Sequence, residues 1–210
     1  MDDTLKTTNQ NVYAIGDVIA ANLLKSSCVA EYFGEIAIKN ALLNKGIEIN
    51  TNYIPTIINV YPKIAFIGLM EEQLDEAKVD YDIYIEHNKL SVKYLISGED
   101  TGFTKIIAKK GTYEILGALI INTKADELIN EVGLYIKFGL KLNQIEKGAF
   151  INGTCNRTFL HIAKAAKFKK HFKGKQFSLL KNPVDIDHND KLVFGYLARG
   201  CTTFGPAYFK

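Results

Sequence analysis

The middle of the chain has the hydrophobic pattern of β-strands. Between residues 54 and 121 apolar residues either alternate with polar ones or form short continuous runs. The two clearest runs are separated by residues 110–113, a spacing that suits a β-hairpin. The pattern therefore predicts a sheet, with strands over residues 54–61, 63–69, 82–86, 102–109 and 114–121.

Helical spacing, with apolar residues three or four positions apart, flanks this region on both sides, and one short, charged helix is predicted within it. It predicts helices over residues 24–44, 71–77, 126–138, 142–150 and 158–168. Gly46 is the expected C-cap of the first helix. Strands that come mostly before helices indicate an α+β fold: an antiparallel or mixed sheet with helices on one face.

Residues 11–17 read as one further strand, which ends in Gly16-Asp17 directly before the first helix. Nucleotide-binding sheets present a carboxylate to a cofactor at such a strand end. A strand-terminal Asp also serves as a helix cap, so Asp17 has two interpretations at this point.

Composition narrows the class of protein without identifying a partner. Of the 210 residues 47% are apolar, which is ordinary for a globular core, and the net charge is only +3. No run of 18 apolar residues is present, so we expect no membrane span. Because the first residues lack the features of a signal peptide and the three cysteines form no CxxC pair, we expect an intracellular protein.

The C-terminal residues 169–210 differ from the rest. A basic run over residues 167–175 with Phe168 and Phe172 raises the possibility of nucleic-acid binding, but a solvated helix end explains it better. A cluster of Asp and His residues resembles a metal site in composition only, and we expect a turn there. That cluster consists of Asp185, Asp187, His188 and Asp190. One strand is predicted in this C-terminal part, over residues 191–197.

Residues 8–168 carry motifs that resemble the C-terminal part of the dihydrolipoamide dehydrogenases, in the FAD-dependent pyridine nucleotide–disulfide oxidoreductase family. Residues 12–17 (VYAIGD) look like the second FAD motif, and Ala30-x-x-x-Gly34 like the helix after it. Residues 61–74 look like the opening of the dimerisation domain. The other matching segments, in the same order as in the family, are residues 102–105, 115–118 and 125–131.

The resemblance implies a dimerisation domain preceded by a remnant of an FAD-binding domain. It implies that Gly16, Asp17 and Ala30 contact FAD, provided that an N-terminal half is supplied; we expect no cofactor for this chain alone. The family usually has a His-Lys pair where this chain has Cys28-Val29. Cys28 is expected to be a small, buried apolar residue.

The resemblance also implies where a catalytic base would stand. The family places His-Pro-Thr-x-Ser-Glu before its last helix, with the histidine as general base and the glutamate as its orienting group. Alignment without gaps puts Cys155 at the histidine and Leu160 at the glutamate. We therefore predict no catalytic residue, an inert or buried Cys155, and a packing or surface role for His161.

These observations lead to three hypotheses. The first is a non-catalytic interface module that forms a homodimer, or binds a different partner, through residues 49–168. The second is the C-terminal part of an FAD-dependent disulfide oxidoreductase whose N-terminal half is supplied elsewhere. The third is a tail that binds nucleic acid or an acidic partner. The predicted domains are residues 1–48, 49–168 and 169–210, without a metal site.

Overall fold

A five-stranded antiparallel sheet forms the centre of the part of the chain that the structure describes. The computed structural model describes residues 1–19 and 26–171, which belong to one compact unit, Met1–Lys173. The strands are β1 (Thr56–Ile58), β2 (Lys63–Gly68), β3 (Tyr81–His87), β4 (Phe103–Lys109) and β5 (Ile115–Asn122). The α-helices are α1 (Ser27–Leu43), α2 (Glu71–Glu76), α3 (Val92–Ser97), α4 (Ala125–Lys137), α5 (Leu142–Ile145) and α6 (Arg157–His171).

The strand order is β1-β2-β5-β4-β3, and every neighbouring pair is antiparallel. The predicted hairpin is formed by β4 and β5, with Phe103 opposite Ile121. The antiparallel α+β prediction is therefore confirmed. Because side chains alternate along each strand, Ala65 and Ile67 of β2 point to one face while Ile64 and Phe66 point to the other.

Helices α4 and α6 pack on the face that carries Ala65 and Ile67. The first of them is strongly amphipathic: Leu128, Ile129 and Val132 are buried against the sheet. Burying such aliphatic side chains contributes roughly 1.5–3 kcal/mol each. This core cluster determines how α6, and the residues just before it, lie relative to β3.

Gly68, the last residue of β2, lies opposite Gly117 near the start of β5. A Cβ on Gly117 would lie 2.1 Å from the Leu69 carbonyl oxygen, and one on Gly68 would lie 2.3 Å from the Leu116 oxygen. Gly68 also has φ +75°. Only glycine permits this close approach of the two backbones.

The strand predicted over residues 11–17 is wrong. The N-terminal segment folds back on itself through one isolated bridge, Lys6 to Tyr13, and Gly16–Val18 forms a 3₁₀ turn. Gly16 has φ +72°, which ends the extended conformation. Without a neighbouring strand to pair with, the apolar run packs locally instead of joining a sheet.

Helix α1 confirms the first predicted helix, with different ends. The Ser26 hydroxyl accepts a hydrogen bond from the Val29 N–H and caps its start. Asn44, and not Gly46, is its C-cap, with φ 48°. A separate hydrophobic cluster surrounds this helix, formed by Leu5, Ile19, Val29, Phe33, Ile36, Ala37 and Ile54.

Two further predictions differ from the structure, and one helix was missed. The strand predicted over residues 54–61 is only Thr56–Ile58, because the chain turns where the Val60 N–H donates to the Ile58 carbonyl. The helix predicted over residues 142–150 ends at Ile145, and α3 was not predicted. The strand predicted over residues 191–197 lies outside the described residues.

Candidate functional site

The loop before α6 is the candidate site, because the family's base and orienting group would lie there. Cys155 is half-buried, and its carbonyl accepts from the Thr158 N–H at 3.3 Å as the helix begins. Leu160 is only 5% exposed and belongs to the packed face of α6. A buried aliphatic side chain at this position has no polar atom that could orient a catalytic base or stabilise its protonated form.

His161, one residue further along α6, is held from two sides. Its Nδ1 lies 2.8 Å from Oε1 of Glu86 on β3, and Arg157 Nε donates to its Nε2 at 3.3 Å. Arg157 also donates to the Phe150 carbonyl at 3.1 Å. The imidazole is therefore engaged at both nitrogens and joins α6 to the edge of the sheet.

Tyr94 on α3 contributes a second buried group to this site. It is 1% exposed, and its hydroxyl makes no hydrogen bond of standard geometry to a described residue. Burial raises the pKa of Tyr94, and the neighbouring Cys155 thiol raises it further. The phenol therefore stays protonated near neutral pH.

Lys124 approaches the same thiol from the start of α4. Its Nζ donates to Glu127 Oε1 at 3.0 Å, and that bond is the main reason why the pKa of Lys124 is raised. Cys155 makes the smallest contribution, in the same direction. Cys155 is therefore close to a phenol and an ammonium group from two different elements.

Polar atoms are buried without a hydrogen-bond partner along this part of the described core. Glu86 Oε2 and Thr104 Oγ1 belong to residues directly opposite each other on β3 and β4. Asn122 Nδ2, at the end of β5, is a third. Buried polar groups are nearly always satisfied, often by ordered water, so these atoms mark the polar side of the core.

The residues predicted to contact FAD lie together at the N-terminal segment. A Cβ on Gly16 would lie 3.6 Å from Ala30 Cβ, and one on Gly34 would lie 3.6 Å from Ile15 Cδ1. The turn at Gly16 therefore packs closely on α1. Asp17 is exposed beside it.

Cys28 does not have its predicted environment. It is exposed near the start of α1, because Val29 and Phe33 form the buried side of that helix. The prediction of a buried Cys28 was wrong. The spacing of apolar residues showed that one side of α1 is buried, but the sequence alone did not show that Cys28 lies outside that side.

A pair of tyrosines joins the N-terminal segment to the sheet domain. The hydroxyls of Tyr32 on α1 and Tyr53 are hydrogen-bonded, and Lys137 Nζ lies 5.3 Å from the centre of the Tyr53 ring. Burial and the bond to Tyr32 raise the pKa of Tyr53 to about 12. The Tyr53 phenol therefore stays neutral near neutral pH.

The sheet face opposite α4 and α6 is only partly covered by the described residues. Its side chains are mostly apolar and half-buried, with Ile58 at the edge 44% exposed. At one end Lys105 pairs with Glu71 of α2. The apolar members of this open face are Ile58, Ile64, Phe66, Ile83, Ile85, Phe103, Leu119 and Ile121.

Two kinds of site are not found in the part of the chain that the structure describes. No three His, Cys, Asp or Glu residues there are grouped so as to hold a metal ion. None of the helices there is long and apolar enough to cross a membrane. The acidic cluster around His188, and the basic run from residue 172 onward, lie outside the described residues.

Comparison with known proteins identifies the sheet domain. The family model described as the dimerisation domain of pyridine nucleotide-disulphide oxidoreductases matches residues 54–163, slightly more than half of the 210-residue chain. The chain belongs to this family. The resemblance inferred from the sequence motifs is confirmed, and the matched residues include all five strands.

Mitochondrial dihydrolipoyl dehydrogenases are among the curated relatives. The pig (Sus scrofa) enzyme is 31% identical over 165 residues, and the human (Homo sapiens) enzyme is 30% identical over the same length. Each match covers 79% of this chain and 32% of the relative. The match therefore spans about a third of the length of these enzymes.

Solved structures of other proteins have the same fold. LpdA from Mycobacterium tuberculosis superposes with a TM-score of 0.72 at 21% identity, over 79% of this chain and 36% of that one. The HOCl-induced flavoprotein disulfide reductase RclA from Escherichia coli gives 0.67 at 22% identity, over 78% and 37%. At this level of identity, the likeness establishes the fold alone.

Two residues of the site were missed by sequence reasoning. Glu86 reads as one polar position of an alternating strand, and its burial depends on α6 packing against β3. Tyr94 lies on α3, for which the sequence carried a signal: Ser91 precedes the helix as its N-cap, and Gly98 follows it in the left-handed conformation.

Proposed function

We propose that this chain is a dimerisation module that does not carry out the family's base-assisted thiol–disulfide chemistry. The observation that carries the proposal is the pair of residues aligned with the base and its orienting group. Cys155 and Leu160 stand there, and Leu160 is buried in the core. This argument depends only on these side chains, so it holds for any longer protein that contains them.

The open face of the sheet supports the dimerising part of the proposal. Its apolar residues extend across all five strands, from Ile58 on β1 to Ile83 on β3. Exposed apolar surface of this extent is typical of protein interfaces. Obligate dimers commonly bury more than about 2,000 Å² in total. A second copy of the chain is the proposed partner, and a different protein is the alternative.

Light scattering after size-exclusion chromatography tests the dimer. At micromolar concentration the chain is expected at twice its monomer mass. Ile64→Glu places an unpaired charge at the centre of the open face and is expected to give a monomer. Ile38→Glu is the matched control, because Ile38 is 61% exposed on α1, away from that face. A monomeric parent chain, or a dimer that withstands Ile64→Glu while folded, would contradict the proposal.

The domain division proposed with this function keeps residues 1–48 as a remnant of an FAD domain and residues 49–168 as the dimerisation module, with residues 169–210 as an extension. The N-terminal hydrophobic cluster supports the first part, because it surrounds α1 and is separate from the core under the sheet. An intracellular location remains part of the proposal.

A flavoenzyme fragment is the second candidate function, and the close packing of Gly16 on Ala30 favours it. The exposed carboxylate of Asp17 suits a hydroxyl-rich chain such as the ribityl group of FAD. These residues fit that end of the cofactor only, since the sequence contains no GxGxxG for the pyrophosphate. FAD would therefore depend on a further polypeptide.

Visible absorbance of natively purified material tests this candidate. A flavin spectrum that appears only with a candidate N-terminal half present, and is lost in Asp17→Ala, would support it. A colourless complex with that half would count against it. Base-assisted disulfide reduction by a flavin-loaded complex would refute the proposed lack of catalysis, whatever the result for dimerisation.

A further inference from the structure

A charged side chain starts from within the open apolar face of the sheet. Lys105 is on β4, directly opposite Leu119 of β5 on one side and Ile85 of β3 on the other. Phe103, two residues away on β4, is on the same face, because side chains alternate along a strand. The base of the Lys105 side chain therefore lies inside this face, one strand from its edge, with apolar neighbours on three sides.

Glu71 of α2 pairs with this lysine. The Lys105 ammonium donates to Glu71 Oε1, and the two side chains are 13% and 33% exposed. Burial alone would raise the pKa of Glu71, but the hydrogen bond from Lys105 helps to lower the pKa overall. The carboxylate is therefore ionised near neutral pH and forms an ion pair with the ammonium, and water still reaches part of it.

A second polar contact joins α2 to the same face. The Tyr81 hydroxyl, on β3, donates to Asp75 Oδ1 of α2 at 2.9 Å. Tyr81 is on the same face as Ile85, because the two residues are four positions apart on one strand. Helix α2 is thus tied to two strands at one end of the open face. The Lys105–Glu71 pair lies at the boundary between this helix and the partly exposed apolar side chains.

We propose that the Lys105–Glu71 ion pair is the electrostatic determinant of the interface between two copies of this chain. This inference rests on the proposed dimer. A second copy that covers Phe66 and Leu119 also covers Lys105, because the three residues form one row across β2, β5 and β4. Docking then removes the remaining water from both charges, so that each depends on the other for its stabilisation. A homodimer with two-fold symmetry has one such pair on each copy.

Analytical ultracentrifugation at pH 7 tests the pair through the dissociation constant of the dimer. Lys105→Met and Glu71→Met each leave one charge at the interface without its partner. Each is expected to raise the dissociation constant about tenfold or more, because the remaining charge is desolvated and unpaired. The double variant Lys105→Met/Glu71→Met has neither charge and should associate at least as tightly as the parent chain.

Two controls separate the loss of charge pairing from other effects. Tyr81→Phe removes the other contact of α2 with the sheet without changing a charge, and should alter the dissociation constant by less than about twofold. Lys39→Met breaks the ion pair with Glu35 on α1, whose side chains are 45% and 69% exposed, and should have as little effect. Circular dichroism verifies that each variant is folded. If Lys105→Met does not fold, Glu71→Met tests the pair from its more exposed member.

The outcomes distinguish this inference from the dimer on which it rests. A parent dimer that Ile64→Glu dissociates, with unchanged dissociation constants in Lys105→Met and Glu71→Met, would overturn the role of the pair and leave the dimer standing. A folded double variant as weak as the single variants would overturn it too. The same holds if Tyr81→Phe weakens the dimer as much as Lys105→Met, because a shift of α2 would then explain both. A monomeric parent chain would overturn both proposals.

Discussion

Asn40 holds the N-terminal segment together, and its replacement tests whether that segment unfolds separately. The side chain belongs to α1 and is only 4% exposed. Its Nδ2 donates to the carbonyls of Thr4 at 3.0 Å and Ile47 at 2.8 Å, while its Oδ1 accepts from the Ile47 N–H at 2.7 Å. One amide therefore ties both flanking loops to the helix.

Asn40→Ala removes all three bonds and leaves three backbone groups without partners. Each such bond contributes about 1 kcal/mol net, so the opening free energy of the segment should fall by about 3 kcal/mol. Every 1.4 kcal/mol is a factor of ten, so amide exchange in α1 should become roughly 100-fold faster. The amides of β5 should keep their protection, because the two hydrophobic clusters are separate.

Native-state hydrogen exchange followed by mass spectrometry measures both regions in one sample. Asn130→Ala is the matched control: its amide donates to the Asp126 carbonyl on the exposed side of α4, at 2.9 Å. Less than tenfold faster exchange in α1 would refute the assigned role of Asn40. Equal loss of protection in α1 and β5 would show that the segment and the sheet unfold as one unit.

Two further predictions concern the sheet domain. Gly117→Ala brings a Cβ to 2.1 Å from a backbone oxygen and should strongly lower the midpoint temperature of thermal unfolding. Gly133→Ala is the control and should lower the midpoint far less, because its Cβ meets a movable Ile67 methyl group at 3.2 Å. Equal midpoints for the two variants would contradict this prediction. The hydrogen bond from Lys63 lowers the pKa of Asp126, so this pair stabilises the fold above the ordinary Asp range and is lost as pH falls through the lowered value. Lys63→Met should therefore lower the free energy of unfolding in urea by less than about 1 kcal/mol at pH 7, because both side chains are partly exposed. At pH 2 it should have no effect, because Asp126 is then protonated. An equal loss of stability at both pH values would contradict the electrostatic explanation.

The antiparallel sheet and the main helices were predictable because their hydrophobic periods are long and uninterrupted. The hairpin of β4 and β5 and the amphipathic α4 have the predicted type and nearly the predicted ends. The elements that were predicted wrongly are short or have a weak hydrophobic pattern. Residues 11–17 have the composition of a strand, but strand formation needs a partner strand, and the described chain provides only one bridge at Tyr13.

The sequence predicted the location of the candidate site but not the side chains that surround it. Sequence motifs predict that Cys155 and Leu160 stand at the positions of the family's base and orienting group, and this alignment stays a prediction. The proximity of Tyr94 to Cys155 was not predictable, because Tyr94 lies on α3, far away along the chain.

The sequence by itself determined the family and the antiparallel α+β fold, since each depends on local pattern or on residue identity. The tertiary structure alone decided which side chains meet. It buried Glu86 under α6, placed Tyr94 near Cys155, and left one apolar face of the sheet partly open among the described residues. These features result from packing between elements that are distant in sequence. The hydrophobic period of a strand or helix shows which of its sides is buried, but not which element packs against that side.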